Sequence, residues 1–223
     1  MRRSLLRLAP TGALAAVVVG VLAHPAGATV LAAAQEGTGP DASVRKVAAL
    51  AGYLAYGLMW SKLVWGLALT TGIVQRFVRR QTVYGGHMVL AVTTLAFTLF
   101  HAATYIFQTA ESFSPLAVFN PLMGEPEVGI GVVGFELMAA ITFSLWLQRR
   151  LGYRRWHIVH WLAYPAFILS IAHMFATSTE ARSGGLITIA LVASSAVLVV
   201  FTALRALPAT RAQRPARIPA MAP

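Results

Sequence analysis

Apolar residues gather along this chain into long stretches, at about Leu5–Ala23, Val47–Ile73, Val83–Phe107, Val128–Leu147, Trp156–Ala176 and Leu186–Leu204. Charged residues are confined almost wholly to the gaps between them. A hydrocarbon core about 30 Å thick is crossed by roughly 20 helical residues, so each stretch is long or nearly long enough to span it. The pattern predicts an all-α fold, a polytopic membrane helical bundle of about six transmembrane segments. The first stretch fits two descriptions. Arg2, Arg3 and Arg7 precede an apolar run interrupted by Pro10 and Gly12 and followed by Ala26-Gly27-Ala28, so residues 1–28 read as a signal-anchor helix or as a cleavable signal peptide, and cleavage would leave five segments. The transmembrane body is expected over residues 47–207. The basic Pro/Arg tail, residues 208–223, has the composition of a segment without a folded domain.

The polar gaps set the orientation. Arg76, Arg79 and Arg80 follow the second stretch, Arg149, Arg150, Arg154 and Arg155 the fourth, and Arg205, Arg211, Arg214 and Arg217 the sixth. With Arg2, Arg3 and Arg7 these are fourteen of the eighteen Lys and Arg, which assigns their ends to the cytoplasm and predicts a multi-pass plasma-membrane protein with a cytoplasmic C-terminus. The opposite gaps carry Glu36, Asp41, Glu111, Glu125, Glu127 and Glu180, with Arg45, Lys46 and Arg182 among them.

Composition narrows the chemistry. At 57% hydrophobic and 11% charged residues, with a mean hydropathy of +0.68, the 223-residue chain is too apolar for a soluble domain. The net charge of +11 is spent on topology rather than on a basic domain, so the lipid bilayer, not nucleic acid, is the expected partner. The absence of cysteine excludes disulfides, thiolate catalysis, cysteine-ligated clusters and thioether-bound haem. Histidine remains as the main candidate metal ligand.

Four histidines stand out. His87 and His101 lie fourteen residues apart in the third stretch, His160 and His173 thirteen apart in the fifth, with no charged residue between the members of either pair. At about 1.5 Å per residue the pairs are separated by roughly 21 Å and 20 Å, one histidine near each side of the membrane. The two stretches run the same way, so His87 shares a level with His160 and His101 with His173. Two axial imidazoles suit a b-type haem, and the arrangement predicts two haems, at least one: an inner haem on His87 and His160, an outer haem on His101 and His173. Fourteen helical steps keep His87 and His101 on one face, whereas thirteen leave His160 and His173 roughly 140° apart on a straight helix. Pro165 lies between them, and a kink or change of winding there would swing His173 back. The bland alternative for any one histidine is a packing residue or a proton site, which taken for all four describes a non-redox membrane protein such as a transporter or assembly factor.

The words around these histidines resemble a known family. Arg149-Arg150-Leu151-Gly152-Tyr153-Arg154-Arg155-Trp156, leading to His160, Tyr164 and His173, resembles the ferric reductase-like transmembrane domain, in wording closest to the haem-bearing membrane subunit of the bacterial methionine sulfoxide reductase system. Phe100-His101 followed by Tyr105 is similar to that family's wording too, and the two histidine spacings resemble those of NADPH oxidases and yeast-type ferric reductases. The resemblance covers roughly Val47 to Leu204 and implies transmembrane electron transfer through haem. His87 departs from the sulfoxide reductase subunit, which generally lacks a histidine there, and favours the two-haem pattern. No Gly-rich nucleotide fingerprint follows a strand pattern in the sequence. Electrons are therefore expected from a cytoplasmic flavoprotein, a quinol or a flavin held at the cytoplasmic face, and are passed to an extracytoplasmic acceptor or reductase subunit. A quinol-linked cytochrome b is the rival within the redox class.

Other residues have two readings each. Arg154 and Arg155 stand where inner-haem propionates would emerge, or serve orientation alone. Glu136 and Lys62 are charges inside apolar stretches, which demand a partner or a wet cavity. Glu136 reads as a proton-coupling group or an interhelical hydrogen-bonding residue, and Lys62 as a propionate partner or a snorkelling side chain. His157 reads as an alternative inner ligand, half of a zinc site or an interface hydrogen-bonding residue. The pairs Gly85-Gly86 and Gly184-Gly185 read as turns or as points of close approach.

Overall fold

The computed structural model describes residues 41–71, 78–109 and 114–206; the first apolar stretch and the tail of residues 208–223 lie outside them. Six α-helices follow in order: α1 (Ala42–Thr71), α2 (Arg80–Thr104), α3 (Pro126–Trp161), α4 (Ala163–Thr177), the single turn α5 (Thr179–Arg182) and α6 (Leu186–Ala206). Short 3-10 turns at Tyr105–Phe107 and Pro115–Val118 lie in the connection between α2 and α3.

Helix α3 is two arms. Gly152 inside it has φ 73° and ψ 157°, a conformation essentially reserved for glycine, and the chain reverses there. Residues 126–151 descend and residues 153–177 return, interrupted at Leu162. The hairpin is fixed by its contacts: His173 meets the Glu127 carbonyl, and Gly134 lies against Leu169 and Ala166. The described residues thus hold four helices long and apolar enough to cross a membrane, one of them folded back on itself at Gly152. The protein is a polytopic helical membrane bundle.

The break at Leu162 answers the winding problem. Proline has no N–H and its ring crowds the carbonyl four residues earlier, which for Pro165 is that of Trp161, the last residue of α3. The helix restarts at Ala163, placing Pro165 in the first turn of α4, where a missing donor costs nothing. The change of winding lies three residues before the proline and turns His160 and His173 to one side.

Helix α1 packs antiparallel on α2, the α3 hairpin packs on α4, and α6 lies against α1. Met59, Leu67, Met138, Phe167 and Leu198 form the central core, one or more from every long helix except α2, whose Leu95 packs against it. The outer surface is apolar, with Val89, Val92, Trp146, Ile168, Val192 and Val199 exposed, as a lipid-facing surface requires. Hydrogen bonds pin α6 to α1: Trp60 Nε1 donates to the Ser194 carbonyl at 3.0 Å, and the Tyr56 and Ser194 hydroxyls are 2.6 Å apart. At the other end, Asp41 Oδ1 accepts from both N–H and Oγ1 of Thr109, tying the start of α1 to the exit of α2. Gly184, with φ 75°, makes the turn into α6, while Gly86 is a point of close approach, where a Cβ would meet the Trp65 ring at 3.2 Å.

Candidate haem site

Helices α2 and α4 run parallel, and their backbones stay largely apart. The gap is bridged by the four histidines. The ring centres of His87 and His160 are 6.1 Å apart, and those of His101 and His173 are 6.2 Å apart. Two imidazoles on opposite sides of one metal, each bonded at about 2 Å with about 1.2 Å from nitrogen to ring centre, would stand about 6.4 Å apart. Both pairs therefore have the separation of a bis-imidazole metal centre. The residues fit a haem at each level.

The outer pair is held from behind. His101 Nδ1 lies 2.7 Å from the Ala48 carbonyl on α1, and His173 Nδ1 lies 2.8 Å from the Glu127 carbonyl on α3. A carbonyl can only accept, so in each ring Nδ1 carries the proton and donates. Nε2 then keeps its lone pair for a metal, with the ring plane already fixed. The inner pair is held more loosely: buried Nδ1 of His87 makes no hydrogen bond. His160 is steadied by Trp156, whose ring stacks on it at 5.0 Å and 26°.

Space for the rings comes from glycines that the sequence reading did not single out. A Cβ on Gly52 would stand 3.0 Å from His101 Nδ1, one on Gly66 3.3 Å from His87 Cε1, and one on Gly131 2.7 Å from His173 Nδ1. Gly52 and Gly66 are fourteen residues apart, the same interval as His87 and His101 on the antiparallel neighbour. That shared interval is the signal by which they could have been found.

The remaining candidates divide. Arg154 and Arg155 are exposed at the hairpin end beside Gly152. His157 accepts a hydrogen bond from Trp161 Nε1 at 3.2 Å and stacks on Tyr153, the interface role rather than a place in either ring pair. Among the described residues no group of three or more His, Cys, Asp or Glu is placed to hold a metal ion. Glu136 is exposed and borders an apolar cavity of about 380 Å³ with Leu95, Leu99 and Phe135. Lys62 is buried, 7% exposed.

Residues 51–171 match the family described as ferric reductase like transmembrane component, more than half of the chain. The chain belongs to this ferric reductase-like family. The matched span takes in His87, His101 and His160 and ends two residues before His173. The protein-methionine-sulfoxide reductase heme-binding subunit MsrQ of Rhodospirillum rubrum is 29% identical over 105 residues, 46% of this chain and 48% of that protein. The match thus spans about half the length of that curated relative. No solved structure matches.

Proposed function

We propose that this ferric reductase-like protein is a b-type cytochrome of the plasma membrane that carries single electrons outward through two haems. The observation that carries this reading is the pair of ring separations, 6.1 Å and 6.2 Å, at two levels roughly 21 Å apart on the fourteen-residue interval of α2. Bound haem would supply a one-electron carrier at each level. The protein's own contribution is to present Nε2 of four neutral imidazoles, to fix the outer tautomers through Ala48 and Glu127, and to exclude water with an apolar bundle.

Direction follows from topology. The arginine-rich ends face the cytoplasm under the positive-inside rule, so the His87 and His160 level accepts electrons from a cytoplasmic flavoprotein or a quinol. Arg154 and Arg155 at the hairpin end carry the charge to receive inner propionates or an acidic donor. The likeness to a heme-binding subunit of a methionine sulfoxide reductase supports an extracytoplasmic reductase subunit as acceptor at the His101 and His173 level. The C-terminal tail, beyond α6, is cytoplasmic in this orientation.

Oxidised-minus-reduced absorbance of the detergent-purified protein, with pyridine-haemochrome quantitation, tests the reading. About two b haems per chain, with one lost in His87→Ala and one in His173→Ala, is the expected result. A colourless protein from haem-replete cells overturns it, and a single haem unaffected by His87→Ala reduces the path to its outer level.

A further inference from the structure

Lys62 is the one Lys or Arg in the interior of an apolar stretch, buried one helical turn before Gly66, where a Cβ would meet His87. It stands fourteen residues after Ala48, whose carbonyl meets His101. Lys62 therefore stands at the inner histidine level, and its charge lies within electrostatic range of the His87 imidazole. At 7% exposure it does not snorkel to the interface. A helical side chain leans toward its own N-terminus, so Lys62 is held inside the bundle rather than reaching the cytoplasmic surface.

A cation so buried calls for a counter-charge, and among the described residues no Asp or Glu lies at that level. Asp41 lies twenty-one residues earlier on the same helix, roughly 31 Å away along its axis. Glu125, Glu127 and Glu180 are at that same outer end, near Asp41 and His173. Glu136 is five residues deeper than Gly131, which underlies His173, so it remains roughly 12 Å above the inner level, and its side chain is exposed. A carboxylate-bearing group bound at the histidines would supply that negative charge.

We infer that Lys62 is the fixed counter-charge of the inner haem, its ammonium offsetting a porphyrin carboxylate and favouring the one-electron-reduced state of the His87–His160 centre. The inference rests on the two-haem reading and names a residue that sets a potential rather than one that ligates iron. A nearby positive charge stabilises the added electron, so removing it lowers the midpoint potential of that centre.

Potentiometric titration of the purified full-length protein tests this, with Lys62→Met removing the charge at similar volume and Lys62→Arg keeping it. The outer component is identified by titrating His87→Ala, which retains that haem alone. Lys62→Met is expected to keep two haems and to lower the inner component by at least a tenfold change in its reduced-to-oxidised ratio, 59 mV for one electron. The outer component should shift less, and Lys62→Arg should stay near the parent. Loss of the inner haem in Lys62→Met but not in Lys62→Arg also supports the counter-charge. Two haems with an unshifted curve in Lys62→Met overturn it, as does equal loss of the inner haem in both variants. Absence of haem from the parent protein would instead defeat the two-haem reading.

Discussion

Gly131 lies directly against His173: a methyl group on its Cα would stand 2.7 Å from Nδ1, the atom that donates to the Glu127 carbonyl four residues earlier on the same helix. One turn of α3 thus supplies both the acceptor that orients the ring and the empty volume in which it lies. Gly131→Ala should push the imidazole off its carbonyl, at a cost of about 1–3 kcal/mol from overpacking. Loss or spectral change of the outer haem alone, read by low-temperature absorbance, is the expected result. An unchanged outer band would show that the ring has room to give.

Gly52 and Gly66 allow the two levels to be addressed separately. Gly52→Ala, whose methyl would stand 3.0 Å from His101 Nδ1, is expected to alter the outer haem, and Gly66→Ala, at 3.3 Å from His87 Cε1, the inner one more mildly. Electron paramagnetic resonance of the low-spin ferric signals checks this, since the g values report imidazole orientation. A change at the wrong level would contradict the antiparallel register of α1 on α2.

Sequence made the histidines legible and their supports obscure, for a physical reason. Ligand spacing is a property of one helix, so His87 with His101 and His160 with His173 could be placed in depth by counting residues. The acceptors for Nδ1 are backbone carbonyls of Ala48 and Glu127, and a carbonyl has no signature in the side chain that bears it. Gly52, Gly66 and Gly131 acquire meaning only once the neighbouring helix and its register are known. The winding of the fifth stretch was half legible: Pro165 announced a break, but its position at Leu162 follows from the carbonyl that proline crowds. Gly152 stood in a word read for its family resemblance, and its structural role, at φ 73°, is the reversal itself.

Gly152→Ala is predicted to destabilise the hairpin by about 1–3 kcal/mol, because a side chain is strained at that φ and ψ. Nothing lies within 4 Å of the added methyl, so the effect is one of backbone alone. Thermal melting in detergent should fall, and the inner haem, eight residues from the turn at His160, should be released before the outer one. Equal melting of variant and parent would mean that another residue takes up the reversal.

Tyr56→Phe serves as a counter-case. It removes the 2.6 Å hydroxyl contact with Ser194 on α6, far from either Nδ1 acceptor, and should lower stability by about 1 kcal/mol while leaving both haems and their potentials unchanged. A shifted potential would place α6 in the electron path.

Because α1 places Gly52 and Gly66 against the rings at the same fourteen-residue interval that α2 uses for its histidines, the two helices work as matched rulers. A single-residue insertion between Gly52 and Gly66 would rotate one support about 100° away from its ring while the other stayed in place. The vertical gap between the two histidine pairs can therefore lengthen only by coordinated insertions near a whole number of turns in at least three helices, a constraint that the connections outside the bundle do not share.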